Sequence, residues 1–185
     1  ELHKVWVDLG IRDGAQVRDL VALGDPVTMD ARLALVREGL AVAKAFDDRA
    51  GLFVVAETLR LLQGEDLHAA VFGVSAVQEE VGLRGARTAA FGVDPVVGIA
   101  VDVSHASDYP DVDKRKVGEI ALRKGPVLVR GPNVHPHVFR RLVQVAREGG
   151  IPFQVQTSGA PTGTDANPIQ MTRAGVATGL VGLPL

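Results

Sequence analysis

Acidic side chains stand at three places where predicted elements begin or end. Two of these places follow apolar runs of the sequence, and the third precedes a predicted helix. They are Asp102, the pair Glu79 and Glu80, and the pair Asp47 and Asp48. In open α/β sheets, ligands bind beyond the carboxyl ends of the strands, where such residues would meet. Adjacent carboxylates repel each other, so a nearby cation would stabilise them. These positions are therefore candidates for metal binding or for acid–base catalysis.

Each acidic position also has a simpler structural explanation. Asp102 could be hydrogen-bonded to the backbone at a strand end, because a carboxylate that ends an apolar run needs a partner. Glu79 and Glu80 could be solvated in the first turn of a helix, where the macrodipole favours negative charge. Asp47 and Asp48 could cap a helix. The residue types alone leave both explanations open.

The spacing of apolar residues predicts the elements that would position these side chains. Positions i, i+3 and i+4 are apolar after Asp48, which predicts a helix there, and 137–148 is a second amphipathic helix that ends at Gly149 and Gly150. Strands are predicted at 4–9, 27–29, 71–77, 96–103, 127–129, 151–156 and 179–183, and further helices at 15–23, 81–91 and 166–174. Strands and helices alternate from about residue 45 onward, which predicts an α/β fold with a mostly parallel sheet flanked by helices.

Composition narrows the possible ligands and partners. The chain has 185 residues, no cysteine and a net charge of −2. A thiolate metal site is excluded, so a metal would need Asp, Glu and His ligands. The charge does not indicate nucleic acid or an anionic membrane as a partner, and no apolar run is long enough to span a bilayer. We expect a cytoplasmic protein.

Five short blocks, in order along the chain, resemble the M42 family of metallo-aminopeptidases, the glutamyl aminopeptidase and endoglucanase-like enzymes. They are residues 44–51, 77–86, 100–106, 163–166, and the glycine–proline steps at 125–126 and 131–133. The resemblance covers nearly the whole chain and is strongest over residues 44–183. It implies a zinc-peptidase-like α/β fold and the removal of N-terminal residues from peptides.

The resemblance also implies roles for the acidic residues. Asp47 would bridge two divalent metal ions, Glu80 would bind one of them and Asp102 the other, and Glu79 would be the general base. Oxygen and nitrogen ligands suit Zn, Co or Mn. Bound ions of this kind lower the pKa of a water molecule and polarise the peptide carbonyl.

The sequence departs from the family pattern at two histidine ligands. The family has one in an upstream His-x-Asp motif and one in a downstream Arg-Tyr-x-His motif, and neither motif occurs here. We therefore expect a fragment that is inactive alone, with residues 1–42 as the tail of a small β-rich, dimerisation-type domain and residues 43–185 as an incomplete catalytic core. The parent protein is expected to be a homo-oligomer.

Two other functions stay open at this point. One is a different dinuclear-metal hydrolase, such as a deacylase or a carboxypeptidase, which would share the site chemistry. The other is a non-catalytic assembly or binding unit, which the missing histidines favour. Retention of all four costly carboxylates, at positions 47, 79, 80 and 102, favours an enzyme.

Overall fold

The structure, a computed structural model, describes residues 2–185, apart from the side chains of residues 2 and 38. The chain forms two compact units, one that ends at Lys44 and one that runs from Ala45 to Leu185. The boundary expected after residue 42 lies two residues before this division.

Among its described residues, the first unit contains one α-helix, two short 3-10 helices and one small hairpin. Helix α1 (Gly14–Leu20) is capped by Asp13, whose side chain accepts a hydrogen bond from the Ala15 N–H, and strands β1 (Ala34–Val36) and β2 (Leu40–Val42) pair antiparallel. The predicted helix at 15–23 is confirmed. The strands predicted at 4–9 and 27–29 are wrong, because those residues are exposed and form no ladder with the rest of the described chain. Alternation of apolar residues is not sufficient for a strand without a neighbour to pair with.

The second unit is built around a four-stranded sheet. Its elements are α2 (Phe46–Leu61), α3 (Arg84–Val93), β3 (Val97–Ser104), α4 (Lys114–Val117), β4 (Val127–Arg130), α5 (Pro136–Glu148), β5 (Gln154–Thr157), α6 (Ala166–Gln170) and β6 (Ala177–Pro184). The strand order is β3-β6-β4-β5. β3 pairs parallel with β6, and β4 with β5, whereas β4 and β6 are antiparallel. The predicted α/β fold with a mostly parallel sheet flanked by helices is confirmed.

Helices on the sheet enclose the core. α2 packs against β3, α5 against β4 and β6, and α6 against β3 and β6. The buried cluster includes Val127, Val129 and Leu180 from the strands and Ala166 from α6, with Phe139 of α5 packed against it. Val127 and Val129 lie in the predicted strand at 127–129, Leu180 in that at 179–183, and Phe139 in the predicted amphipathic helix at 137–148.

The predicted strand at 71–77 is wrong. The structure assigns no ladder to these residues, although Val71, Phe72, Val74 and Val77 have the composition of a strand. All four side chains are exposed. Apolar composition is compatible with a strand, but a strand also requires backbone partners, which the described residues do not provide for this segment.

Candidate active site

Asp47 and Asp48 stand where the chain enters α2, and the two side chains have different surroundings. Both have non-helical backbone angles, and the peptide bond between them is cis. The Asp48 Oδ1 accepts a hydrogen bond of 2.8 Å from the Gly51 N–H. Gly51 is buried, and a Cβ at this position would overlap the Asp48 carboxylate. Asp48 therefore takes the capping role, which leaves the Asp47 carboxylate exposed and without a hydrogen bond to the described chain.

Glu79 and Glu80 lie in a tight turn that precedes α3. The Glu79 carbonyl accepts hydrogen bonds from the N–H groups of Gly82 (3.1 Å) and Leu83 (2.8 Å), and α3 begins at Arg84. The explanation of this pair as a solvated first helical turn is wrong, because the helix begins four residues after Glu80. The turn half-buries the Glu79 side chain and leaves that of Glu80 exposed.

The turn is held in place by a close approach of two backbones. The Gly85 N–H donates a hydrogen bond of 2.8 Å to the Val77 carbonyl. A Cβ at Gly85 would overlap the backbone N and O atoms of Val77. A residue without a side chain at position 85 is therefore what lets the start of α3 lie against the segment that leads into Glu79.

Asp102 lies within β3 and is half-buried. Its Oδ1 accepts a hydrogen bond of 2.7 Å from the Val103 N–H. The backbone hydrogen bond that the simpler explanation requires is thus present, but β3 continues to Ser104, so Asp102 does not end the strand. One hydrogen bond leaves most of the acceptor capacity of this carboxylate available.

The folded chain brings these acidic groups close enough to perturb one another. The pKa of Glu79 is raised to about 7, chiefly by burial and in smaller part by the negative charges of Asp102, Asp165, Glu80 and Asp47. Four chain segments that are distant in the sequence therefore contribute carboxylates to one electrostatic site.

The pKa of Asp102 is affected by neighbouring carboxylates as well. This pKa is raised to about 6, chiefly by burial and in smaller part by the charges of Asp48, Asp47 and Asp165, against the opposing effect of the hydrogen bond from Val103. The pKa of Asp48 is also raised, first by burial and then, against the Gly51 hydrogen bond, by Asp47 and Asp165. A cluster in which each carboxylate makes its neighbours harder to ionise is a site that favours positive charge.

Asp165 is a site residue to which the sequence analysis assigns no role. It precedes α6, yet its side chain caps no helix N–H. Its Oδ1 is enclosed and is the buried side-chain atom of the described residues that has no hydrogen-bond partner. Burial raises its pKa. Its position in block 163–166 could have identified it from the sequence. An Asp that precedes a helix after a glycine–threonine loop is, however, also typical of an ordinary helix cap.

His135 and His137 interact with each other at the start of α5. The His135 Nδ1 accepts a hydrogen bond of 3.3 Å from the His137 N–H at the start of α5, and the two rings stack at 5.5 Å. Within residues 2–185, no three His, Asp or Glu side chains are grouped so as to hold a metal ion. The donor chemistry of the carboxylates fits a divalent cation, but the described side chains do not complete a ligand shell.

The whole chain matches one protein family. Residues 1–185 match the family described as M42 glutamyl aminopeptidase. The chain belongs to this family. It is 48% identical over 139 residues to the lysyl aminopeptidase of Pyrococcus furiosus, a match that covers 75% of this chain and 39% of that protein.

Solved structures show the same fold. Aminopeptidase APDkam598 from the archaeon Desulfurococcus kamchatkensis superimposes with a TM-score of 0.88 at 36% identity, over 100% of this chain and 52% of that one. The TET1 peptidase of Pyrococcus horikoshii, which can assemble into a tetrahedron or a large octahedral shell, superimposes with a TM-score of 0.78 at 25% identity, over 96% of this chain and 51% of that one. The chain spans about half the length of these relatives or less.

The helices of the described chain have no span suited to a bilayer. Within residues 2–185, none combines the length and the apolarity that crossing a membrane would require.

Proposed function

We propose that this M42 chain carries the catalytic carboxylates of an aminopeptidase that removes N-terminal residues from peptides with the help of two divalent metal ions. The observation that supports this proposal is the convergence of carboxylates from four chain segments around Glu79, whose pKa is raised to about 7. Perturbed titratable groups that cluster in the folded chain are typical of active sites.

The proposed roles follow from the place of each side chain. Asp47 would bridge the two ions, Glu80 would bind one and Asp102 the other. Asp47 suits a bridge because Asp48 takes over the capping of α2 and leaves Asp47 exposed. The ions, Zn, Co or Mn, would lower the pKa of a bound water and polarise the scissile carbonyl.

Glu79 would transfer the proton. It lies among the proposed ligands but is itself half-buried, so it can accept a proton from the attacking water and return it to the leaving amine. Its pKa of about 7 without a cation supports this role, because the carboxyl can then be protonated or ionised near neutral pH. Positive charge at the neighbouring carboxylates would lower the pKa and favour the base form.

The 185-residue chain by itself is proposed to be inactive. Carboxylates at 47, 80 and 102 leave each ion short of ligands, and no ligand group of three is formed by the residues that the structure describes. Catalysis would then require further ligands from polypeptide outside these residues. By analogy with TET1, the active form is proposed to be a homo-oligomer.

Glu79→Gln tests the catalytic role. The protein to use is a chimera in which this chain replaces the matching half of the D. kamchatkensis aminopeptidase. The other half of that aminopeptidase is retained, because it would supply the remaining ligands. We expect kcat on aminoacyl-p-nitroanilides to fall at least about 100-fold while metal content is retained. The matched control is Glu119→Gln, which changes an exposed carboxylate paired with Lys114 at 3.0 Å.

Either of two results would contradict the proposal. Unchanged turnover in Glu79→Gln would remove Glu79 from the mechanism. A chimera that carries its full metal complement but releases no free amino acid would remove the aminopeptidase activity, and activity on N-acylated or C-terminal substrates instead would indicate a deacylase or a carboxypeptidase.

A non-catalytic binding or assembly unit is the second candidate, and one observation favours it. The described residues do not group three metal ligands. Calorimetry separates the two functions: an aminopeptidase requires the chimera to bind about two divalent ions per subunit, whereas a binding unit requires none.

A further inference from the structure

Asp165 occupies a position that its own charge disfavours. Its Oδ1 is enclosed and has no hydrogen-bond partner in the described part of the chain. Its charge also acts on the nearby carboxylates of Asp48, Glu79 and Asp102. A carboxylate that lacks a partner and lies among like charges would be more stable if it turned into water. Something in the fold must therefore hold Asp165 in place.

The loop that leads to Asp165 has to run back along the sheet. The register of the strands places Asp102 level with Gln154, at the start of β5. β5 continues for three more residues to Thr157, so it ends about 10 Å from that level. Residues 158–164 return the chain to the site, and they contain no strand or helix. Contacts other than regular backbone pairing must set their course.

The buried side chain of Asn133 provides one such contact. Asn133 follows β4 and is 1% exposed. Its Nδ2 donates a hydrogen bond of 2.7 Å to the Thr162 Oγ1, and its Oδ1 accepts one of 3.1 Å from the Thr162 N–H. A buried amide that loses its partners is costly, so this two-way contact fixes Thr162 relative to the end of β4.

Thr162 connects this anchor to the residues around Asp165. The hydroxyl oxygens of Thr162 and Thr164 lie 2.8 Å apart and share a hydrogen bond. The Thr164 carbonyl accepts a hydrogen bond of 3.0 Å from the Asn167 N–H, which ties the end of the loop to α6. A chain of hydrogen bonds therefore runs from the buried Asn133 to the backbone on either side of Asp165.

The start of the loop is held separately. The Ser158 N–H donates a hydrogen bond of 2.9 Å to the Arg130 carbonyl, directly after the last paired residues of β4 and β5. The Ser158 hydroxyl donates one of 2.6 Å to the Ala160 carbonyl. The hydrogen bonds of Asn133 are therefore not needed to attach the loop to the sheet. They fix its second half, which leads to Asp165.

We propose that Asn133 is a positioning residue of the carboxylate site. Through the hydroxyls of Thr162 and Thr164, it holds the Asp165 carboxylate among the other carboxylates against their mutual repulsion. The negative charge held in this way adds to the preference of the site for a cation. The part of Asn133 in catalysis rests on the proposed function, because it acts only through Asp165 and the charges around it.

Thr162→Val tests the proposal in the isolated chain, because valine has the shape of threonine but no hydroxyl. At about pH 8, Asp165→Asn alone should raise the urea midpoint, since it removes an enclosed charge that repels its neighbours. In the Thr162→Val background the same change should raise the midpoint less than half as much, because Asp165 can then turn into water. The matched control is Thr162→Ser, which keeps the hydroxyl and should preserve the full effect of Asp165→Asn.

Calorimetry with Mn²⁺ on the chimera carries the test to the proposed active site. Asp165→Asn and Thr162→Val should each weaken Mn²⁺ binding at least about 5-fold, because a negative charge near the ion is lost or displaced. The double variant should bind no more weakly than the weaker single variant, since both changes act on one carboxylate. A chimera that binds no Mn²⁺ would contradict the proposed function, and the urea result in the isolated chain would still decide the role of Asn133.

Three results would overturn the proposal. One is an Asp165→Asn substitution that does not raise the urea midpoint of the isolated chain. Another is a rise that is equal with and without Thr162→Val, which would leave the hydrogen bonds a structural role only. The third is Thr162→Ser behaving like Thr162→Val, which would show that the hydroxyl is not the link. If Thr162→Val does not fold, Thr164→Val removes the last hydroxyl of the chain of hydrogen bonds and takes its place in the same comparison.

Discussion

Replacing Gly85 by alanine should destabilise the second unit and displace Glu79. The new Cβ would overlap the N and O atoms of Val77 and lie 3.0 Å from its carbonyl carbon. These are backbone atoms, so no side-chain rotation can relieve the contact. The start of α3 would have to move by about 1 Å to restore ordinary carbon contacts of about 3.5 Å.

The cost of this displacement can be estimated from its parts. Movement of about 1 Å stretches the 2.8 Å hydrogen bond from Gly85 to Val77 beyond bonding distance, which costs about 1 kcal/mol. Residual overpacking costs about 1–3 kcal/mol. Alanine in a helix recovers about 0.5–1 kcal/mol of backbone entropy. The net loss in the free energy of unfolding is therefore about 1–3.5 kcal/mol.

Gly92→Ala is the matched control in the same helix. Gly92 lies in α3, and a Cβ there would meet nothing within 4 Å. Its free energy of unfolding should rise by about 0.5–1 kcal/mol. Urea unfolding followed by circular dichroism measures both variants. If Gly85→Ala came within about 0.5 kcal/mol of the unsubstituted chain, the argument from close backbone approach would be refuted.

Two further predictions concern the charges of the site. In the metal-free chain, the folded-state pKa values of Glu79 and Asp102, about 7 and about 6, lie above the ordinary values of 4.5 and 3.8. Their ionisation thus opposes folding, and the free energy of unfolding should rise as the pH falls from about 8 to about 4, by about 2 kcal/mol once solvent screening of these half-exposed groups is included. Urea titrations across this pH range measure the free energy of unfolding. A free energy that stays constant or decreases as the pH falls would contradict the carboxylate cluster. Asp165→Asn removes one of the charges that raise the pKa of Glu79 and should lower that pKa, as read by carbon NMR of the Glu79 carboxyl; an unchanged value would place Asp165 outside the site.

The sequence by itself determined helices α1, α2, α3, α5 and α6, the four strands of the second unit's sheet and the family, but it predicted neither α4 nor the β1–β2 hairpin. Helix α2, helix α5 and the strands β3, β4 and β6 follow from apolar periodicity, because a regular element must present one face to the core. The blocks around Asp47, Glu79 and Asp102 likewise carried the resemblance to M42 peptidases that the family comparison confirms.

Only the tertiary structure decided which contacts each acidic side chain makes. It assigned the helix cap to Asp48, set Glu79 and Glu80 in a turn before α3, and brought Asp165 into the site. It also left residues 71–77 without a ladder. The physical reason is that periodicity is a property of neighbours along the chain. Desolvation, charge repulsion and strand pairing instead arise between segments that are far apart in sequence and meet only when the chain folds.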